Sequence, residues 1–543
     1  MKTSSRLLSA ALLPLVLPAT SLFAQTSTWI GTGIAIDPGF WSDTGNWSGT
    51  APTDGATVAL VFNNTVNSWG NNNLTNLTVS SFTVPANNGA TTPVGIRDNV
   101  VTGNAITLTG GFTVSTGAWQ TFGFDIALGA GSGSFTQTTG QTTFGGVISG
   151  SQNITKAGGG TLIFSGANTF SGNLNVNTGA VRLGNNAALG TTAGKTTVAS
   201  GARVELTNNI TVTGETIEIQ GNGGDNTNGG VIRNLSGANT WAGNVVTIGN
   251  DSRLIAAAGT LTVSGVISSN NPANNQVIFR SQGGTIELTN QNTYLGTTRV
   301  FGTPTDPSTV MVRLSGGDNR LPVGTSLDIG GGGVSGHVQL SGVSQELAGL
   351  VSNAGATASR ISGVGTATLV INNAAAGTFT GSLTDSLAFV KKGAGAYTLT
   401  NVNNNYTRGT VIEAGLLATG LTSGNFGTGD VTVGAGAFLE LGNAFSIADA
   451  ANLFITPTSS VMLTFGGTEN IGMLGNSQTS SYVPVGTYDA TSLNAFFGGS
   501  IFSGSGLLNV TMTSAIPEPS AAALLAGFAV LGAVALRRRP RAA

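Results

Sequence analysis

Few side chains in this sequence could do chemistry, and their spacing limits what that chemistry could be. The acidic residues are scattered, among them Asp225, Glu287, Asp306, Asp318, Asp328, Glu346, Glu413 and Glu440. Cleaving a glycosidic bond takes two converging carboxylates, or a carboxylate with a basic partner. Only the stacking of distant segments could bring these residues together. His337 is the one histidine, which excludes a multi-histidine metal site and the HExxH arrangement; it reads as a polar turn residue. Without cysteine there is no thiolate nucleophile, disulfide or cysteine-bound metal. Gly190–Thr196 has three residues between its glycines where a phosphate-binding loop needs four. Gly221–Asn226 has the glycine–aspartate character of a calcium-binding nonapeptide without its tandem period, and reads as a turn. No cofactor and no metal is expected.

The elements that would position such groups are strands. From Gly158 to Gly184, three runs are expected to be extended: Thr161–Ser165, Asn173–Asn177 and Ala180–Leu183. Apolar and polar residues alternate in them, clearest at Leu174/Val176 and Val181/Leu183, the period of a half-buried strand. Glycine and asparagine fill the gaps, as turns require. So small a unit cannot bury its own apolar side and needs copies above and below. Looser copies run from Gly284 to Gly302 and from Gly395 to Gly415, and Leu235–Gly243 repeats the middle of the unit. Aligned, Leu162 and Phe164 match Ile286 and Leu288, then Tyr397 and Leu399. Phe170 matches Trp241, Tyr294 and Tyr406. Of these apolar strand residues, Leu162, Phe164, Ile286, Leu288 and Leu399 are expected to point inward and be buried. Asn168, Asn292 and Asn404 precede the aromatics and could stack as a ladder of amides.

These residues resemble the autotransporter-associated β-strand repeat, a pattern of the type Gly-Gly-Thr-Leu-x-Leu-Ser-Gly-x-Asn-Thr-Tyr-x-Gly-x-Thr. Gly158–Gly184 follows it well; the later copies are degenerate. The resemblance implies an all-β fold, a right-handed parallel β-helix on an exported bacterial surface protein, and no catalytic activity. Composition agrees with a stacked β architecture. Glycine numbers 83 of 543 residues, 40% of the chain is hydrophobic, and only 8% is charged, with a net charge of −2. So weak a field argues against nucleic acid or an anionic membrane face as partner. Solenoids grow linearly and escape the size limit of a single globular core. The outward positions carry mainly Thr, Ser and Asn, which predicts a neutral, hydrogen-bonding surface.

Both ends read as addresses. Lys2 and Arg6 precede the apolar run Leu7–Leu17, and small residues follow to Ala24, the layout of a signal peptide over 1–24 cleaved after Ala24, or of an uncleaved helix. At the other end, Pro517, Glu518 and Pro519 precede an apolar run, Ala521–Leu536, and a basic tail with Arg537, Arg538, Arg539 and Arg541. The prolines hold their segment extended, and the arginines place the tail in the cytoplasm if 521–536 is a transmembrane helix. In this order the three parts, over 514–541, resemble a PEP-CTERM sorting signal. That implies an exosortase-type membrane protease as partner and a membrane-anchored precursor; a plain permanent anchor is the alternative.

Between the ends, 25–150 is expected to hold an N-terminal cap and the first turns, 151–442 the repeat solenoid and 443–513 a C-terminal cap. Trp29, Phe40, Trp41, Trp47 and Phe62 would cover the first turn or stack on sugars. Ala444–Ala451 could form a short helix. Two functions compete: an exported non-catalytic structural or adhesive protein of the cell surface or matrix, with an extracellular polysaccharide as a possible partner, and a polysaccharide-degrading β-helix enzyme with the same export signal. An autotransporter passenger would require the alternating strands of a C-terminal membrane barrel, which the sequence does not suggest.

Overall fold

Residues 154–183 show how the chain winds. Ile154–Ala157 and Thr161–Phe164 are strands, Asn168–Phe170 forms a corner, and Leu174–Val176 and Ala180–Leu183 lie in parallel over the first two. Ile154 stands beside Leu174, so one circuit takes 20 residues. Burial alternates along Ile154–Ala157 and Leu174–Val176, and in the other two strands from Leu162 and Val181 onward, because successive side chains point to opposite faces. The turns above and below supply the partner surface that one circuit lacks. The molecule, seen in a computed structural model, is described over residues 24–512 apart from 31–38, 63–69, 87–98, 116, 118–119, 225–228, 271–275, 303–308, 332 and 354–357. It is an all-β solenoid of about 17 turns.

Three parallel sheets run its length. The first carries Gln141–Phe144, Thr161–Phe164, Ala180–Leu183, Arg203–Leu206 and Ile232–Asn234, then the end of Val245–Ala256, Val277–Ser281, Thr298–Gly302, Ser326–Ile329 and Gly349–Ser352. Gly377–Phe379, Ala396–Leu399 and Leu416–Thr419 continue along the same side. The second begins with Ile126–Leu128 and Ile148–Gly150, crosses the Asn168 corner, and includes Ala238–Trp241, Thr260–Val263 and Thr285–Leu288. The third includes Ile154–Ala157, Leu174–Val176, Thr196–Val198 and Ile217–Gly221. Backbone hydrogen bonds between turns therefore point along the solenoid axis, and the interior is one continuous apolar column.

The expected strands appear with small shifts at their ends, and Leu162, Phe164, Ile286, Leu288 and Leu399 are all buried. The copies are not in one phase, however. Thr161–Phe164 and Ala396–Leu399 occupy the first side, whereas Thr285–Leu288 occupies the second. The second copy is rotated by one face of the triangle, and its Thr298–Gly302 strand fills the first sheet instead.

At the N-terminal end the aromatic rings are interior except for Phe40, which is exposed. Trp29 stacks on Phe62 at 5.9 Å, Phe62 on Phe82 at 4.9 Å and Phe82 on Phe112 at 4.3 Å. Trp41 and Trp47 are buried against them, so stacking of sugars on these three tryptophans is excluded by their burial. At the other end Thr468–Ile471 and Gly486–Tyr488 flank Leu507–Val510, the latter pair antiparallel. The helix Ala490–Phe497 follows, with Asp489 accepting from Ser492 N at 2.8 Å and Gly498 closing it at φ 70°. Ala444–Ala451 is not helical. Asn443 instead accepts from Phe445 N and donates to Gly420 O and Gly424 O, which turns the chain into a corner. Among the described residues no helix is long and apolar enough to cross a membrane; the 521–536 run lies outside them.

Candidate interaction surface

The polar residues of the repeat face inward and bind backbone. Asn168 accepts from Ile148 N at 2.8 Å and donates to Ala188 O at 2.6 Å, joining three successive turns. Asn292 does the same between Ile267 N and Arg320 O, and Asn404 between Leu383 N and Asn425 O. The amides do not stack on one another as a ladder, which corrects the sequence expectation. Corners lack the regular strand bonds, and a buried backbone group left unpaired is costly, so each amide stands in for a missing rung. Tyr294 bonds Thr298 Oγ1 at 2.6 Å and Tyr406 bonds Thr410 Oγ1 at 2.5 Å. Burial raises both phenols.

Sequence reasoning missed two lysines. Lys156 points into the interior at 0% exposure. Its Nζ donates to Ala157 O, Gly158 O and Thr178 O at 2.8, 2.6 and 3.1 Å. Lys391 repeats this with Lys392 O, Gly393 O and Ala414 O at 2.5, 2.7 and 3.2 Å. Burial lowers both ammonium groups to about 8, helped at Lys156 by the charge of Arg203. The signal was present as Lys-x-Gly-x-Gly at the start of the first and third copies, but an inward lysine contradicts the usual reading of charge as surface.

The carboxylates considered for catalysis do not converge. Glu287 lies on the second sheet, bonded by Ser315 Oγ at 2.7 Å with Arg313 at 4.0 Å. Glu413 lies on the third, 3.8 Å from Lys392, which is also 3.9 Å from Glu346. These three make the nearest approach to a paired-acid arrangement, and they sit on the open outer face with Glu413 half exposed. Asp328 pairs with Arg299 at 3.0 Å. Asp318 Oδ1 accepts from Ser344 N and Glu440 Oε1 from Thr464 Oγ1. Asp225 and Asp306 lie outside the described residues. Among the described residues no three His, Cys, Asp or Glu side chains form a metal-binding group. His337 is a buried strand residue, not a turn residue: Nε2 lies 2.8 Å from Ser362 Oγ and Nδ1 3.2 Å from Thr309 O.

Charge is concentrated instead on the outside of the first sheet, where the expectation of a neutral surface fails. Arg182, Arg203, Arg233, Arg253, Arg280 and Arg299 all belong to its strands. Glu205 lies between Arg182 and Arg203 at 2.8 and 2.7 Å. Burial works to raise its pKa, but the bonds from and charges of the two arginines outweigh it and hold the carboxyl below its ordinary value. Further along, Arg253, Arg280 and Arg299 surround the Phe301 ring at 5.9, 5.4 and 5.9 Å, within cation–π range.

Ala24 stands at the edge of the described region, and Pro517, Glu518, Pro519, Arg537, Arg538, Arg539 and Arg541 lie outside it.

Two segments of the chain, 154–183 and 389–418, match a family described as Passenger-associated-transport-repeat. They are the two segments that carry the lysine corners and the Asn168 and Asn404 bridges, so the chain carries this repeat at least twice. Over 164 residues it is 32% identical to the adhesin BmaC autotransporter of Brucella suis biovar 1 (strain 1330). The match takes in 27% of this chain and 5% of that protein, so the chain spans only a small fraction of the adhesin's length. No solved structure matches.

Proposed function

We propose that the chain is exported and acts at the cell surface or in the extracellular matrix as a non-catalytic, adhesive or structural solenoid, wound right-handed. One observation carries this reading: the polar residues of the repeat are engaged inside. Lys156, Lys391, Asn168 and Asn404 bind backbone between turns and Tyr406 binds the neighbouring Thr410 hydroxyl, which leaves long outer faces for contact. The name of the repeat family refers to passenger transport, and the matched protein is named an adhesin; both support display outside the cell.

Delivery in this reading uses both ends. The 1–24 segment is removed after Ala24. Ala521–Leu536 anchors the precursor with Arg537, Arg538, Arg539 and Arg541 in the cytoplasm, and an exosortase-type protease takes Pro517-Glu518-Pro519 in extended form. Mass spectrometry of the exported protein tests this. Peptides from 521–536 should be absent, and Glu518→Ala should leave full-length chain in the membrane; 521–536 peptides in the exported fraction refute the route.

The enzymatic alternative has one observation in its favour, the Glu346–Lys392–Glu413 cluster. A panel of polysaccharides incubated with the protein decides it. Depolymerisation lost in Glu413→Gln would establish an enzyme and overturn the non-catalytic reading.

A further inference from the structure

We infer that the outer face of the first sheet, from Arg203 to Arg299, binds an acidic polysaccharide of the polyuronate class, whose alternate carboxylates lie a disaccharide apart. This rests on the surface reading above and adds to it the class of ligand.

Strand pairing sets the outward residues of this face in two columns. One reads Arg182, Glu205, Arg233, Ile255, Arg280, Phe301. The other, two residues earlier in each strand, reads Arg203, Arg253, Ile278, Arg299, Asp328, with Val231 between the first two. Arginine thus alternates between columns in successive turns: Arg233, Arg253, Arg280, Arg299. Within a column the arginines recur every second turn, about 9.6 Å apart at the usual strand spacing. That is roughly the length of a disaccharide.

The apolar partners complete the pattern. Ile255 and Ile278 point outward yet are buried, and neither belongs to the central core cluster. Long charged side chains commonly lay their stems over such residues, and the guanidinium groups of Arg253, Arg280 and Arg299 are gathered at Phe301. Phe301 is half-buried in the midst of three of them, and Arg280 is itself 6% exposed, which leaves Arg233, Arg253 and Arg299 as the more accessible members of the series. Strand positions of the sheet hold six arginines against two carboxylates, Glu205 and Asp328, with Asp251 at the adjoining corner. The whole chain has a net charge of −2, so the excess of positive charge is local.

The chemistry favours a sparse polyanion. Guanidinium matches a planar carboxylate bidentately. Phosphates follow one another along a DNA strand at about 3.4 Å of rise, far denser than one charge per two turns. A nucleic acid would leave most of its charges opposite isoleucine or bare strand.

The test uses the exported protein and three immobilised probes: alginate, a polyuronate; dextran, a neutral glucan; and single-stranded DNA. Alginate should be bound in a salt-dependent manner and dextran not. Arg233→Gln/Arg253→Gln/Arg299→Gln should lower alginate affinity by about tenfold or more, the corresponding triple lysine variant should retain most of it, and Arg313→Gln, on the second sheet, should change nothing. Should the triple glutamine variant fail to fold, arginine modification by phenylglyoxal on the native protein replaces it: bound alginate should protect Arg233, Arg253 and Arg299 but not Arg313. Alginate bound no better than dextran, protection mapping to Arg313, an unaffected glutamine variant, or DNA bound as tightly as alginate would each overturn the inference. Failure of the unaltered protein to bind alginate, with cell-surface display and adhesion intact, would sink this inference alone. Absence of the protein from the exported fraction would sink the reading beneath it.

Discussion

Replacing Glu469 by glutamine should stabilise the C-terminal cap, and by an amount that depends on pH in a set direction. Glu469 lies in Thr468–Ile471 at 0% exposure, and its Oε1 accepts from Ile447 N at 2.5 Å. Burial is the largest influence and pushes the carboxyl up to about 8; the amides of Ile447 and Ser446 resist this and the charge of Asp449 adds to it. The folded state therefore binds the proton more tightly than the unfolded chain, whose value is 4.5. The favourable contribution is complete below pH 4.5 and is lost as pH rises through 8. Each unit is worth about 1.4 kcal/mol, so ionisation costs the cap about 3 kcal/mol by pH 7 and about 5 kcal/mol above pH 8. Glutamine keeps the acceptor for Ile447 N and cannot ionise. Amide exchange in Thr468–Ile471 and Leu507–Val510, corrected for the intrinsic pH dependence, reads the opening of this region. Glu469→Gln and wild type should agree near pH 4.5 and diverge in favour of the variant toward pH 8. A variant less protected at pH 7, or a difference that does not change with pH, would refute the reasoning.

Asn168→Ala should cost about 1–3 kcal/mol, since it strands the Ile148 N–H in the interior, and the loss of protection should stay within the turns on either side. Lys156→Ala removes three donors and a buried stem; a drop of about 2 kcal/mol is expected, again localised by amide exchange, and none in the Lys391 corner. Gly179→Ala and Gly436→Ala separate strain from crowding. Both glycines are left-handed, at φ 69° and 72°, but a Cβ at Gly179 would meet Gly160 O at 2.4 Å while one at Gly436 meets nothing within 4 Å. The second should cost about 1 kcal/mol and the first clearly more, as read by chemical denaturation of that region.

The winding was legible because it rests on two local rules, alternation in the strand and glycine or asparagine at the corner. Ala180–Leu183 was placed to the residue, and the five core residues named from the alignment are all interior. What could not be read was anything set by which turn lies next to which. The second copy looks like the first in sequence, yet it sits one face round, because the spacing between copies does not fix the phase. Lys156 was not singled out and His337 was read as a polar turn residue, while their burial follows from carbonyl and hydroxyl partners contributed by neighbouring turns. The helix went to the wrong place for a related reason. Ala444–Ala451 has helix-forming composition but is tied into a corner by Asn443, whereas Ala490–Phe497 is framed by an aspartate cap and a closing glycine. The arginine face is scattered through more than a hundred residues of sequence and becomes a surface only when the strands are stacked.

The axial direction of the hydrogen bonds between turns has a mechanical consequence. A tether pulled between the two ends of the solenoid loads each ladder lengthwise, so turns peel away one after another instead of shearing together. Each turn that lets go frees about 20 residues, or roughly 70 Å of chain at full extension, and the next turn then takes the strain. Such a fibre would lengthen under load at nearly constant force, limited by its weakest circuit and not by the sum of all of them.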